Sequence, residues 1–260
     1  MTQLTDNDLM ATSKIQVFAY HEICSVPSRD IYTLSPEMFF QHLATISKTA
    51  EQSRSPAVIT FDDGHCSNIR WAAPILGAFS LKANFFVTTN WIASKHDHMD
   101  WNDVRSLVAA GHAVGSHTAS HSFLPQCSPS RMQEELLGSR RTLEDHIGQH
   151  VRTISLPGGR CNEAVLRACA IAGYEVVYTS QPGYYRPPAQ VPGLTMPAVI
   201  GRFAVRAHTT LRTIAGYAEA NRTTVHLLQA NYRVRDAMKA VVGDAVYQRF
   251  WSHLFRATTN

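Results

Sequence analysis

Two adjacent aspartates, Asp62 and Asp63, follow a short apolar run and precede a glycine. The apolar run, residues 57–61, predicts a buried β-strand that ends in a turn. Two carboxylates this close resist joint ionisation unless a cation or hydrogen-bond donors compensate their charge. A metal ion on one aspartate would resolve the conflict and leave the other as a base. The alternative is a pair of ordinary turn residues, because Asp-Gly is a common turn dipeptide.

Two histidines, His117 and His121, lie four residues apart at the end of another predicted strand, residues 112–117. Together with Asp63 they would supply three protein ligands and leave a position open for water, which is the pattern of catalytic zinc sites. The nitrogen-rich set favours Zn²⁺, or another transition metal such as Co²⁺ or Ni²⁺, over Mg²⁺ or Ca²⁺. The alternative is two surface or structural histidines among the thirteen of the chain.

The elements that must position these residues are strands that alternate with helices, which predicts an α/β fold with a parallel sheet. Seven strands are predicted, at residues 14–20, 57–61, 82–88, 112–117, 152–156, 175–179 and 199–205. This number favours a barrel over a doubly wound open sheet, for which no Gly-x-Gly-x-x-Gly fingerprint is present. Parallel α/β folds carry their chemistry at the carboxyl ends of the strands. Four such ends carry polar or glycine-rich residues, at His21, Asp62–Asp63, His117 and Pro157-Gly158-Gly159.

Three regions are predicted along the chain: a flexible tail at 1–13, the barrel at 14–207 and a helical extension at 208–260. The extension contains three helical stretches, at about 208–220, 224–240 and 244–256. The Pro-rich segment 181–197 predicts a long functional loop or lid rather than a linker between domains.

Composition limits the function classes. The chain has 260 residues, 45% apolar content and a net charge of +4 without a dense Lys/Arg run, so nothing demands a nucleic-acid partner. The five scattered cysteines suit reduced thiols.

We recognise no secretory signal and no membrane-spanning run, which predicts a cytoplasmic protein. Arginines of the C-terminal helices could contact a membrane surface or a biosynthetic complex, and a solvated helix face is the alternative. The oligomeric state stays open.

Thr-Phe-Asp-Asp-Gly at 60–64 and His-Thr-Ala-Ser-His at 117–121 resemble the first two motifs of polysaccharide deacetylases with the NodB homology domain, carbohydrate esterase family 4. The resemblance extends from about residue 16 to 182. It includes Tyr-His-Glu at 20–22 and a segment at 156–163 that is similar to exopolysaccharide-type members. It implies a distorted (β/α)7, TIM-like barrel, here with extra C-terminal helices, and metal-dependent hydrolysis of the acetamido group of an N-acetylated saccharide.

The resemblance also implies roles for individual residues. Asp62 would be the general base, and Asp63, His117 and His121 would hold a zinc-class ion whose bound water is the nucleophile. The turn Pro157-Gly158-Gly159-Arg160 would contact the substrate and the developing oxyanion.

Two departures from the family pattern leave alternatives open. The family often has an arginine that pairs with the base where this chain has Ser155, and we find no copy of its Leu-x-His motif, which supplies the general acid. We expect His21 to be the substitute acid or a substrate contact, and a buried structural histidine is the alternative. The functional alternatives are a non-catalytic saccharide-binding or scaffold protein that keeps the metal site, and an amidase acting on another C–N bond.

Overall fold

The computed structural model describes residues 15–26, 28, 30–53, 55–219, 225–230 and 232. The predicted tail at 1–13 and the predicted helix at 244–256 lie outside the described residues. The predicted helix at 224–240 lies mostly outside them, although residues 225–230 are helical.

Thirteen strands are found in the described residues. They are β1 (Gln16–Tyr20), β2 (Glu22–Ile23), β3 (Thr33–Leu34), β4 (Ala57–Phe61), β5 (Ala83–Val87), β6 (Ala113–Ser116), β7 (Thr153–Ser155), β8 (Val176–Thr179), β9 (Tyr185–Arg186), β10 (Ala189–Val191), β11 (Leu194–Met196), β12 (Ala198–Gly201) and β13 (Phe203–Ala204). Nine of them form one sheet in the order β13-β1-β4-β5-β6-β7-β8-β12-β9. All neighbours are parallel except β12 and β9. Six of the seven predicted strands are present as single strands, and the seventh is divided into two.

The two sides of this curled sheet are joined by one stretch of chain, residues 198–204. Its first part, β12, pairs with β8, and its second part, β13, pairs with β1. The prediction of one continuous last strand at 199–205 is therefore wrong in detail, because Arg202 separates two short strands that have different partners. Both pairings are parallel, so the sheet curls round as the predicted (β/α)7 barrel requires.

Helices cover the outside of the sheet. They are α1 (Pro36–Ser53), α2 (Ala73–Ala78), α3 (Trp101–Ala109), α4 (Pro129–Gln133), α5 (Ser139–Ile147), α6 (Glu163–Ile171) and α7 (Leu211–Ala218). The starts of α3 and α6 follow ordinary capping rules. Asp100 and Asp103 form a capping box on α3, and Asn162 accepts a hydrogen bond from the backbone of Val165 in α6. A π-helical stretch at Glu134–Gly138 separates α4 from α5, and the Ser128 side chain caps the start of α4.

The core has two parts, one on each face of the sheet. The larger lies between the sheet and the helices and includes the aromatic rings of Tyr20, Phe39 and Phe61, which contact one another. A smaller cluster consists of Val17, Phe86, Val176, Tyr178 and Ile200. Because successive residues of a strand point to opposite faces, the strands are apolar on both, as buried parallel strands require.

The Pro-rich segment 181–197 is more ordered than a simple loop. It contains β9, which pairs with β12, and the antiparallel hairpin β10–β11. Across the described part of the chain, none of the helices combines the length and apolar character needed to cross a membrane.

Candidate active site

The side chains of Asp63, His117 and His121 converge at the carboxyl ends of the strands. Asp63 follows β4, and the two histidines follow β6. The Nε2 atoms of His117 and His121 lie 3.3 and 3.4 Å from Asp63 Oδ1, and the three ligand atoms all lie within 4.8 Å of one another. The geometry that the sequence predicted for a metal site is therefore present.

The proton arrangement of this triad leaves room for a cation. His117 Nδ1 lies 2.8 Å from the carbonyl oxygen of Ser155, which can only accept, so Nδ1 carries the proton. Nε2 of a neutral His117 then directs a lone pair towards Asp63 Oδ1, which is buried without a hydrogen-bond donor. Two facing acceptors repel each other unless a proton or a cation lies between them. The donor set, one carboxylate and two imidazoles, fits a zinc-class ion.

The charges within the triad support the same interpretation. Burial by itself lowers the pKa of His117, but the carboxylates of Asp62 and Asp63 raise it above its ordinary value. Burial and the neighbouring His117 lower the pKa of His121 to about 4. His121 is therefore neutral at pH 7, as a metal ligand must be. The raised pKa of His117 favours a proton on this histidine, and a bound cation can replace that proton.

The backbone around the triad is strained. Asp63, Thr118 and His121 have φ angles of 74°, 66° and 62°, in the left-handed region that non-glycine residues rarely adopt. Such conformations cost free energy and concentrate at functional sites. Hydrogen bonds hold them: the backbone N–H of His121 donates to Thr118 Oγ1 at 3.0 Å, and that of Thr118 donates to Ser116 Oγ at 3.0 Å.

Glu135 anchors the loop that carries the two histidines. Its side chain is fully buried and accepts hydrogen bonds from the backbone N–H and hydroxyl of Ser120 and from the hydroxyl of Ser122. Arg131 Nη2 lies 2.6 Å from Glu135 Oε1 and balances its charge. Ser120 precedes His121 directly, so this network fixes the backbone from which His121 projects.

Asp62, the other aspartate, forms a buried ion pair with Arg202. Nη1 and Nη2 of Arg202 donate to Asp62 Oδ1 and Oδ2 at 2.8 and 2.7 Å. The side chains are almost completely buried, with residue exposures of 1% for Arg202 and 4% for Asp62. Burial by itself raises the pKa of Asp62, but the guanidinium and, to a smaller extent, His117 lower it to about 2. Asp62 is thus a carboxylate at neutral pH.

Ser155 completes the surroundings of this ion pair. Its hydroxyl donates to Asp62 Oδ2 at 3.0 Å and accepts from Arg202 Nη2 at 2.8 Å. Arg202 also donates to Thr60 Oγ1 and to the Thr179 carbonyl, so all its nitrogens have acceptors. Asp62 therefore has an arginine partner, which the sequence does not offer at position 155 and which is Arg202, between β12 and β13.

The site opens into a cavity of about 730 Å³. Asp62, Asp63, His117 and His121 lie in its lining together with His21, which was predicted as a catalytic residue. His21 Nδ1 is buried without a hydrogen-bond partner, and the imidazole contacts the ring of Tyr32 at a centroid distance of 4.5 Å. A structural histidine usually has its nitrogens satisfied, so this unpartnered nitrogen favours a functional role.

The turn predicted to contact the substrate lies partly in the cavity wall. Gly158 and Gly159 line the cavity and have positive φ angles, and a Cβ at Gly159 would overlap the backbone of Ser180. The Gly159 N–H is bonded to the Leu156 carbonyl, which leaves the Gly158 N–H as the candidate oxyanion donor. Pro157 is buried, and the Arg160 guanidinium lies 4.0 Å from the ring centroid of Phe123, which also lines the cavity.

Comparison with known families identifies the barrel. Residues 49–177 match the family model described as polysaccharide deacetylase. This part of the chain thus carries a polysaccharide deacetylase domain. The matched segment contains Asp62, Asp63, His117 and His121, and it ends before Arg202.

Relatives with similar sequences are named as deacetylases. The putative polysaccharide deacetylase YxkH of Bacillus subtilis (strain 168) is 29% identical over 188 residues, covering 66% of each chain. A chitooligosaccharide deacetylase of Bradyrhizobium sp. (strain ANU 289) is 30% identical over 126 residues, covering 47% of this chain and 54% of the relative. The matches thus span from about half to just under two thirds of the length of these relatives.

Solved polysaccharide deacetylase structures share the fold. The deacetylase PplD of Streptococcus pyogenes, in complex with acetate, superposes with a TM-score of 0.66 at 21% identity, covering 79% of this chain and 98% of that one. A polysaccharide deacetylase from Bacillus cereus gives a TM-score of 0.67 at 22% identity, covering 79% of this chain and 69% of that one. The barrel architecture predicted from the sequence is confirmed.

Arg202 is the site residue that the sequence reasoning missed. A signal was present, because Arg202 is the one charged residue in the apolar stretch 198–205. A charged side chain in a strand with two buried faces needs a buried partner, and the carboxylate at the end of a neighbouring strand could have been considered for that role.

Proposed function

We propose that this protein is a metal-dependent N-deacetylase that hydrolyses the acetamido group of an N-acetylated saccharide. One observation carries the proposal. A buried, donor-free carboxylate oxygen of Asp63 faces the Nε2 atoms of two histidines, while the adjacent Asp62 is held ionised outside this triad. The two aspartates therefore have different partners, as metal ligand and base must have.

Asp63, His117 and His121 would hold the cation, for which Zn²⁺, Co²⁺ and Ni²⁺ are the candidates. When bound, a divalent ion of this class polarises the acetamido carbonyl and lowers the pKa of water. His117 is prepared for this role because the Ser155 carbonyl fixes its Nδ1 proton and so directs Nε2 to the ion.

Asp62 would act as the general base by taking a proton from the attacking water. Arg202 and Ser155 orient its carboxylate, and Asp62 Oδ2 lies 4.0 Å from His117 Nε2, close to the proposed ion. From this position Asp62 would be able to take a proton from a water held by the ion without being a ligand itself.

His21 would act as the general acid, and the Gly158 N–H would donate to the oxyanion. As the water oxygen bonds to the carbonyl carbon, one water proton passes to Asp62. The C–N bond then breaks, and the amine nitrogen leaves with a proton from His21. The immediate products are acetic acid, which ionises to acetate in water, and a free amino sugar. Asp62 then loses the proton that it took, and His21 regains one from solvent, so atoms and charge balance.

The names of the relatives support a saccharide substrate, because polysaccharide and chitooligosaccharide deacetylases are among them. The Arg202–Asp62 pair weakens the case for a binding-only protein, which rested partly on the missing arginine at position 155. The binding-only alternative also rested on the absence of a general acid. His21, whose Nδ1 is unpartnered in the cavity, is a candidate for that acid and so weakens this second argument.

Acetate release from chitooligosaccharides tests the proposal. The metal-loaded protein should release acetate, a chelator should stop the release, and added Zn²⁺, Co²⁺ or Ni²⁺ should restore it. Release that persists after the metal has been removed would contradict metal dependence. Saccharide binding without acetate release at any metal loading would favour the binding-only alternative.

A further inference from the structure

The segment that follows β13 contributes a second cationic group to the cavity, separate from the triad. Arg206 and His208 both line it. The Nε atom of Arg206 is buried and has no hydrogen-bond acceptor, and within the described residues its guanidinium forms no ion pair. By contrast, Arg202, the other arginine in the lining, uses every nitrogen.

The backbone that carries Arg206 is held firmly. Its N–H donates to Thr209 Oγ1 at 2.9 Å, and the Thr209 N–H donates back to the Arg206 carbonyl at 2.8 Å. The next residue, Ala207, donates to the Ile31 carbonyl at 2.8 Å. The guanidinium carbon lies 5.9 Å from the ring centroid of Tyr32. The backbone position of Arg206 is therefore fixed, and its guanidinium lies near the ring of Tyr32.

The charges of the cavity leave Arg206 without compensation. Among the described residues that line it, only Asp62 and Asp63 are acidic. Arg202 neutralises Asp62, and Asp63 belongs to the metal triad. With a divalent ion bound, the cavity carries a net positive charge, which attracts anionic ligands. A partly buried guanidinium with an unused donor is suited to a carboxylate or phosphate, whose oxygens it can bind in pairs.

We propose that Arg206, assisted by His208, binds an anionic group of the substrate, so that the substrate class is an N-acetylated saccharide carrying a carboxylate or a phosphate. This inference rests on the proposed function, from which it takes the N-acetylated saccharide. Binding of the anionic group can be measured separately from acetate release.

Calorimetric titration of the metal-loaded full chain with three matched disaccharides tests the inference. Chitobiose is neutral, chitobiose 1-phosphate carries a phosphate, and N-acetylglucosaminyl-N-acetylmuramic acid carries a carboxylate. At least one anionic ligand should bind more tightly than chitobiose, and the one preferred identifies the source of the charge. In Arg206→Gln this preference should fall by roughly 10- to 100-fold, as expected for a lost hydrogen bond to a charged group. Arg206→Lys should restore part of it.

Arg167→Gln, an exposed change on α6 that removes the same charge, is the matched control and should keep the preference. Equal binding of neutral and anionic ligands, absence of binding to any of them, or an unchanged preference in Arg206→Gln would overturn the inference. Anion binding that depends on Arg206 without acetate release would support it while contradicting the proposed reaction.

Discussion

The guanidinium of Arg202 and the carboxylate of Asp62 form a two-point ion pair across 140 residues of sequence. Arg202 lies between β12 and β13, where the chain passes from one side of the sheet to the other, and Asp62 follows β4. One contact therefore ties the last strand segment to the proposed base. It also fixes the orientation and the ionisation of that base, which neutral partners could not do as effectively.

Replacing Arg202 should impair both stability and turnover. Arg202→Met leaves a buried carboxylate without its counter-charge, which costs about 3–5 kcal/mol of unfolding free energy. Because the pKa of Asp62 should rise, the acidic limb of the kcat/KM profile should move to higher pH. Denaturant unfolding and the pH dependence of acetate release measure the two effects.

Two further variants separate charge from packing in this prediction. Arg202→Lys retains a positive charge and should shift the acidic limb less than Arg202→Met does. Ser155→Ala removes one hydrogen bond to the same carboxylate and should cost only about 1–3 kcal/mol. An Arg202→Lys protein that folds with an unchanged profile and unchanged kcat would show that Arg202 does not position the base.

Acid should destabilise the metal-free protein partly through Asp62. The folded-state pKa of Asp62 is about 2, below its ordinary value of 3.8, so its contribution is fully present above about pH 4 and is lost as the pH falls through 2. A lowering of this size is worth on the order of 2 kcal/mol. Unfolding free energies measured between pH 5 and pH 2 should fall less steeply in Asp62→Asn than in the parent. Parallel curves would contradict the pKa assigned to Asp62.

Glu135 should control metal affinity without contacting the metal. Glu135→Gln weakens the network that fixes Ser120 and hence His121, and loss of such supporting contacts lowers metal affinity by roughly 10- to 100-fold. Competition with a chromogenic chelator measures the change. The neighbouring Glu134→Gln, at an exposed position, is the control and should bind metal as the parent does. Equal affinity in both variants would mean that the loop holds His121 without Glu135.

His21 should be required for protonation of the leaving amine. In His21→Asn we expect kcat to fall by roughly 10²- to 10⁴-fold, the usual contribution of a general acid, while one ion per chain is retained. His150→Asn, an exposed histidine outside the cavity lining, should behave as the parent. An unchanged kcat in His21→Asn would assign the acid role to another group.

Much of the fold could be predicted because its signals are local. The seven strands are apolar runs bounded by turn residues, and Asp100 and Asn162 are ordinary helix caps. The strands of two or three residues at 185–196 were missed, because strands this short show no periodicity and lie among prolines. The π-helical stretch at Glu134–Gly138 was also missed, because its residues, Glu-Glu-Leu-Leu-Gly, contain no local signal that distinguishes it from an α-helix.

The candidate site could be predicted in part for the same reason. Asp62, Asp63, His117 and His121 stand in short motifs whose spacing indicates their chemistry. The partner of Asp62 could not be assigned, because it depends on how β12 and β13 join β8 and β1 in three dimensions. The unused guanidinium of Arg206 also emerges only when the charges that surround the cavity are known.

Metal content and acetate release, measured side by side in Asp62→Asn and Asp63→Asn, test the division of labour between the two aspartates most directly. Asp145→Asn, at an exposed position on α5, is the control. We predict that Asp62→Asn keeps one zinc-class ion per chain and loses roughly 10²- to 10⁴-fold in turnover. Asp63→Asn should lose both the ion and the activity. Full turnover in Asp62→Asn, or undiminished metal binding in Asp63→Asn, would contradict the account.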